Sequence, residues 1–288
     1  MASTIALKRR ITSIKGTRQI TKAMQLVSAS KLRRAQEYAA ASRAYGDLAY
    51  EILQKLSSMS EAKRQPLFVQ RPVKNRLYVV VTSNTGLAGA YNANTLKMLT
   101  IALKRDKADK VKSHVITIGS KGAQFVRRLS DIDLMGVYPP FGDQPTANDM
   151  RPILNSVMES YKEGLVDEVN ILYTQFKSTI TQFSKTQQLL PAPLPENTDK
   201  TELISNFEPD VETVVEQTAT RLIEAQIWQD VLESLASEHA MRMMATKNAT
   251  DNASDLIDDY TLELNTARQA SITQELAEIS GGAEALNG

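Results

Sequence analysis

VETVVEQTATRLIEAQIWQDVLESLASEHAMRMMATKNATDNASDLIDDYTLELNTARQASITQELAEIS, residues 211–280, runs for seventy positions without one Gly or Pro. With neither of the usual breakers, the stretch predicts a single helix. At 1.5 Å per residue it would reach roughly 105 Å, several times the diameter of a small domain, so most of it must lean on something other than its own globular part. Alternate steps of three and four from Leu222 give Ala225, Gln229, Leu232, Ala236, His239, Met243, Thr246, Thr250, Ala253, Ile257, Tyr260 and Leu264. This is a heptad-like seam, only partly apolar. Its small and polar members suit close approach of another helix, whereas a dimerising zipper would carry more Leu and Ile. The pattern predicts a helix built into a larger assembly.

A second helix is predicted over residues 4–57, with Ser3 or Thr4 as cap and apolar positions Leu7, Ile11, Ile14, Ile20, Met24, Val27, Leu32, Ala35, Tyr38, Tyr45, Ala49, Ile52 and Leu56. Gly16 and Gly46 each cost about 1 kcal/mol relative to Ala there, which tertiary contacts outweigh. Between positions 8 and 34 this helix carries nine cations and no acid. Residues 1–60 hold eleven Lys/Arg against three Asp/Glu, and residues 211–288 hold four against fourteen, so the two ends attract. A solvated face and an acidic partner both account for the cationic strip; nucleic acid is the weaker reading, because no aromatic residue for base stacking precedes Tyr38. Two terminal helices of opposite charge around an insert imply an antiparallel coiled coil. If positions near 57 and 214 lie side by side, the numbers of facing residues total about 271, because both helices rise equally per residue. Residues beyond Ser271 then project as a single helix, expected to end at Gly281-Gly282.

All ten prolines fall between Pro66 and Pro209, marking out the insert. Residues 77–82 and 113–119 read as buried parallel strands and residues 168–174 as another. Helices are predicted at 92–105, 120–129 and 148–162, and residues 177–190 read as an added strand at the sheet edge. The fold class is therefore α/β plus a long antiparallel coiled coil, with a central Rossmann-like domain and a mainly parallel sheet. Boundaries are expected at 1–60 for the first coil helix, 61–210 for the α/β domain and 211–288 for the second coil helix.

No constellation carries catalysis. The turn Thr82-Ser-Asn-Thr-Gly-Leu-Ala-Gly-Ala-Tyr91 follows a strand and opens a helix, as phosphate loops do, but it matches neither phosphate-binding glycine pattern. Gly119-Ser-Lys-Gly122 has a Lys without a loop to wrap a phosphate; glycines at such turns more often permit tight packing. His114 and His239 lack Cys or a second nearby His, so a metal site or nucleophilic triad is not expected, and Asp258 with Asp259 reads as a charged helix face. The chain has no Cys, which removes disulfides and thiolate metal sites. A net charge of +1 argues against a generally basic nucleic-acid binder. No apolar run approaches a bilayer-crossing length and the first residues lack a secretory apolar stretch, so the chain is expected to be soluble.

Ile20-Thr-Lys-Ala-Met24 with Ser28-Ala-Ser-Lys31, then Ile118-Gly-Ser-Lys-Gly122, then Asn265-Thr-Ala-Arg-Gln-Ala-Ser-Ile-Thr-Gln-Glu-Leu276, closely resemble the gamma-subunit family of F-type ATP synthases over essentially the whole length. The resemblance implies a non-catalytic central stalk (rotor) subunit of a proton-translocating complex, without cofactor or metal. It would couple rotation of a c-ring to sequential changes in catalytic beta subunits. The implied partners are the alpha and beta subunits around the coil, and the epsilon subunit and c-ring at its foot. No nucleic acid is implied, and the membrane is touched only through the complex, on the cytoplasmic face of a bacterial plasma membrane. Also implied are a beta-subunit interface at Met24, Lys31, Arg33, Arg34, Arg268, Gln269, Thr273 and Glu275, and an epsilon and c-ring end at Phe207 and Glu208. Ala88 stands where many relatives carry Cys, and the cysteine-bearing insert of the chloroplast form is absent between about 190 and 209. The competing reading is a nucleic-acid-binding coiled-coil protein using the basic N-terminal helix.

Overall fold

The computed structural model describes residues 4–56, 64–139, 141–142, 146–193, 208 and 210–287. In chain order these form α1 (Thr4–Leu56), β1 (Asn75–Val81), α2 (Tyr91–Ala108), β2 (Lys112–Ile118), α3 (Ser120–Val126), β3 (Asp133–Tyr138), α4 (Ala147–Lys162), β4 (Glu168–Phe176), β5 (Gln182–Leu190) and α5 (Val211–Asn287). Contacts group the chain into two units, residues 28–242 and residues 1–27 with 243–288.

In residues 28–242 a five-stranded sheet has the order β3-β2-β1-β4-β5. The first four strands are parallel and β5 is antiparallel to β4 at the edge, as the sequence predicts. Strand β3 is an addition. Its Asp-Leu-Met-Gly-Val-Tyr run alternates exposed and half-buried, pairs with β2 alone and shifts register beside Gly136, so it carries no continuous apolar signal.

Successive strand side chains take opposite faces. Leu77, Val79 and Val81 pack with Ile153 and Val157 of α4 and with Ala219, Ile223, Ile227 and Val231 of α5. Tyr78 and Val80 pack with Leu99 and Leu103 of α2 and Val126 of α3 on the reverse. Each fully buried Ile or Val here contributes about 1.5–3 kcal/mol. Over 219–231, α5 thus shows the sheet a stripe spaced by four, while its seam face meets α1: Ala49 packs on Leu222, and a Cβ at Gly46 would sit 3.7 Å from that of Ala225. A helix covered on two sides needs apolar and small residues nearly all round, which is why its seam lacks a zipper's Leu content.

In residues 1–27 with 243–288, the hydroxyls of Thr21 and Thr250 meet at 2.8 Å and the Arg10 guanidinium lies 5.8 Å from the Tyr260 ring centre. Leu7, Ile11, Ala253 and Ile257 are buried between the helices. In each unit the numbers of facing residues total 270 or 271, the antiparallel register expected from equal rise.

Two expectations are corrected. Ile20, Val27, Tyr45 and Ile52 of α1 are exposed, not in its seam. The fully buried positions instead fall on steps of four and three that run 7, 11, 14, 18 and 21 in one unit and 28, 32, 35, 39, 42, 46 and 49 in the other; the remaining members of that series are half-buried, as are Gly16, Met24, Gln25, Ala29, Lys31 and Tyr38 beside it. Polar Thr21 and Ser28 fill places where an apolar count looks for Ile20 and Val27. Lastly, α5 continues through Gly281-Gly282 to Asn287. A helix ends at Gly when the residue turns left-handed, and neither of these has positive φ; as interior glycines each costs only about 1 kcal/mol.

Candidate functional site

The crevice beyond the carboxyl ends of β1 and β4, where the strand order reverses, is where α/β sheets bind nucleotides. Here α5 occupies it. Ser234 Oγ accepts the Thr174 backbone N–H at 3.1 Å and meets the Tyr91 hydroxyl at 2.8 Å, and Ser237 Oγ donates to the Thr174 carbonyl at 3.0 Å. One turn on, Arg242 reaches the glycine turn, donating to the carbonyls of Gly86 and Thr85 at 3.4 Å and to Thr85 Oγ1 at 3.2 Å. The same guanidinium pairs with Glu238 at 2.7 Å, and both side chains are nearly buried. Burial pushes the Glu238 carboxyl above its ordinary range, and Arg242, then Lys31, pull it back. His239 sits against Arg242, its Nδ1 3.4 Å away, and His114 Nδ1 faces Asp133 of β3 at 2.9 Å.

The second glycine pair is spacing, not a cradle. Gly119 has φ +94°, and a Cβ there would fall 2.1 Å from the Thr82 carbonyl oxygen; one at Gly122 would fall 2.9 Å from Thr82 Oγ1. The Gly122 N–H donates to that hydroxyl at 2.9 Å, tying the β2–α3 corner to the end of β1. With the crevice filled by α5, the full chain is expected to show no saturable ATP or ADP binding in titration calorimetry. Stoichiometric binding there would contradict this.

Among the residues expected to contact partners, Met24 is half-buried, in residues 1–27 with 243–288. In residues 28–242, Arg33 and Arg34 are exposed, Arg33 pairing with Glu37 at 3.1 Å on the same helix. Lys31 is half-buried and is the cation felt by Glu238. Glu208 is exposed, and Phe207 lies outside the described residues.

Arg268, Gln269, Thr273 and Glu275 are all exposed on α5. Their described side-chain bonds are local: Thr273 Oγ1 donates to the Gln269 carbonyl at 2.9 Å, and Ser271 Oγ to Glu275 at 3.4 Å. Every residue from 268 to 282 is exposed; a register totalling 271 sets position 267 opposite Thr4, the first described residue of α1. Sequence reading missed the apolar part of this surface: Ile272, Leu276 and Ile279 are 46%, 60% and 68% exposed, and Ile20, Leu26 and Val27 of α1 are more than half exposed. Their signal is position off the strict three-four seam, a test that needs the register first.

A family profile described as ATP synthase matches residues 3–286. The chain is 38% identical over its full length to the whole ATP synthase gamma chain of Psychrobacter arcticus, and 40% identical, again over both full lengths, to that of Herpetosiphon aurantiacus. Among solved structures it is similar to the central stalk with c-ring of the Tetrahymena thermophila mitochondrial ATP synthase. That match has TM-score 0.63 and 25% identity, and covers 80% of this chain and 99% of the other. It also shares the fold of a chain in the Euglena gracilis mitochondrial ATP synthase, with TM-score 0.69 at 18% identity, over 98% of this chain and 94% of that one.

Proposed function

The chain belongs to the ATP synthase gamma-chain family, and from that premise we propose that its paired terminal helices act, without catalysing anything, by presenting a different face to each catalytic beta subunit in turn. It is the central stalk subunit of an F-type ATP synthase. The nucleic-acid alternative is set aside, since the relatives over the full length are gamma chains.

The observation that carries the proposal is the run of exposed α5 residues from 268 to 282, with Ile272, Leu276 and Ile279 among them. Apolar side chains recurring at steps of four and three form a stripe on one helix face, and such stripes mark contact surfaces. A ring of alpha and beta subunits closing around this helix would cover it. Arg268 and Gln269 lie at its base, where a guanidinium suits bidentate bonding to a partner carboxylate. Because one asymmetric helix pair meets three equivalent sites, each site receives a different contact set. Only such differences can shift their conformational equilibria in sequence.

On the same proposal Met24, Lys31, Arg33, Arg34, Thr273 and Glu275 belong to the beta-subunit interface, and Phe207 and Glu208 to the epsilon and c-ring end. The working parts are then helix 1–60, domain 61–210 and helix 211–288. No described helix is long and apolar enough to cross a membrane. The bacterial relatives support a place on the cytoplasmic face of the plasma membrane, held there by partners.

Reconstituted rings carrying the Arg268→Leu/Gln269→Leu stalk are expected to turn over ATP roughly tenfold more slowly than wild type, the rate equivalent of about 1.4 kcal/mol. That is near the lower end for hydrogen bonds to charged groups. Leu keeps the helix, so circular dichroism should not change. Equal turnover at equal stalk occupancy would remove the contact assignment, and failure of the wild-type chain to restore coupled turnover would remove the proposal.

A further inference from the structure

Within residues 28–242 a cavity of about 310 Å³ opens where α1, β4, β5 and α5 meet. Ser42 comes from α1, Tyr173 from β4, Lys185 from β5, and Gln226, Gln229 and Asp230 from α5. Four oxygens of these lining side chains, Ser42 Oγ, Gln226 Oε1, Gln229 Oε1 and Asp230 Oδ2, are buried without a hydrogen-bond partner among the described residues. Asp230 is only 4% exposed. Gln229 Nε2 donates to Glu233 at 3.1 Å, which turns its amide oxygen to the unsatisfied side. Buried polar groups are ordinarily paired, and each left unpaired costs about 1–3 kcal/mol. Gln226 Oε1, Gln229 Oε1 and the ionised form of Asp230 are acceptors, and Ser42 Oγ is a hydroxyl that can accept or donate, a set that suits a ligand rich in N–H donors.

Charge points the same way. The titratable groups lining the cavity are Asp47 and Tyr50 on α1, Tyr173 on β4, Lys185 on β5, and Asp230 and Glu233 on α5. They set three carboxyls against one ammonium. The space is far larger than a bare ion and lies at the lower end of small organic-ligand pockets. Among the described residues no group of His, Cys, Asp or Glu is placed to hold a metal. An ammonium group supplies three N–H donors and one positive charge, and Tyr50 and Tyr173 also line the cavity.

We propose that this cavity is a binding site for a small protonated amine, whose three N–H groups satisfy Asp230, Gln229 and Gln226. It stands independently of the stalk reading. Burial, with Glu233 adding to it, pushes the Asp230 carboxyl up to about 8, against a hydrogen bond from Tyr173 and the Lys185 charge. The amine takes the ionised carboxylate and displaces its proton. Affinity therefore rises with pH, by about tenfold between pH 7 and pH 9, as the ionised fraction goes from about a tenth to nine tenths.

The test is calorimetric titration and thermal denaturation of the full chain with putrescine at both pH values. Wild type, Asp230→Asn and, as control, exposed Asp251→Asn are compared, with sodium chloride matching ionic strength and calcium chloride as a separate arm. The expected result is saturable putrescine binding that tightens tenfold at the higher pH, persists in Asp251→Asn and falls at least tenfold in Asp230→Asn, which preserves the side-chain shape. Absent binding, binding unchanged by Asp230→Asn, or a response to calcium and not to putrescine would overturn the assignment.

Discussion

Gly119→Ala is expected to destabilise the α/β unit by about 3–5 kcal/mol, a large part of the stability of an ordinary domain. Two faults combine. At φ +94° a residue with a Cβ is strained before it meets any neighbour, and here the Cβ would also lie 2.1 Å from the Thr82 carbonyl oxygen and 2.8 Å from its carbon. Neither partner can step aside cheaply. Thr82 N–H donates to Ile118 at 2.8 Å, Gly119 N–H to Tyr138 at 2.9 Å, and Lys121 N–H to Ser83 at 3.1 Å, so moving either corner breaks the bonds that join β1 to β2 or β2 to β3. Gly16→Ala is the matched control. It lies inside α1 with nothing within 4 Å of the added methyl, and is expected to stabilise by up to about 1 kcal/mol. Denaturant titrations of both variants check the contrast. A Gly119→Ala protein within 1 kcal/mol of wild type would mean that the two corners separate freely.

Arg242→Leu is expected to cost about 3–5 kcal/mol, the usual penalty for removing one partner of a buried ion pair. Leu fills much of the volume, but Glu238 loses its nearest countercharge and the glycine turn loses the donors that hold Thr85 and Gly86 to α5. The pH dependence has a definite sign. Glu238 already titrates above its ordinary value, first because of burial, and Arg242 is the largest influence lowering it. Without Arg242 the native carboxyl rises further and binds its proton over a range where the unfolded one has lost it. Stability then falls as pH rises, from the ordinary carboxylate range up to the raised folded value. The single variant should lie closest to wild type in acid and furthest from it above the raised folded value. Adding Glu238→Leu removes the stranded charge and is expected to restore most of the loss, leaving the contribution of the turn contacts. Unfolding of the single and double variants across pH decides it; no rescue and no slope would show that the pair closes nothing.

Much of this molecule follows from local periodicity. Seventy residues without Gly or Pro, and the three-four steps from Leu222 to Leu264, mark α5 and its covered face; every one of those seam positions is buried or half-buried. Equal rise per residue makes the antiparallel register a matter of counting, and the Thr21–Thr250 and Gly46–Ala225 contacts obey it. Strand, helix and proline placement likewise give the mainly parallel sheet. These are properties that a segment expresses through its own spacing of side chains. What tertiary structure alone decided is which of several local possibilities the partner accepts. Close packing of α5 selected Thr21 and Ser28 over Ile20 and Val27, leaving those apolar side chains exposed. Pairing with β2 made a strand of a six-residue run with no strong signal of its own. Insertion of Ser234, Ser237 and Arg242 into the switch-point crevice turned a suspected phosphate loop into a joint. The orphan oxygens around Asp230 come from α5 and α1, more than 180 positions apart in the chain. Their shared lack of donors exists only where those elements meet, because satisfaction of a buried polar group depends on what the fold brings beside it.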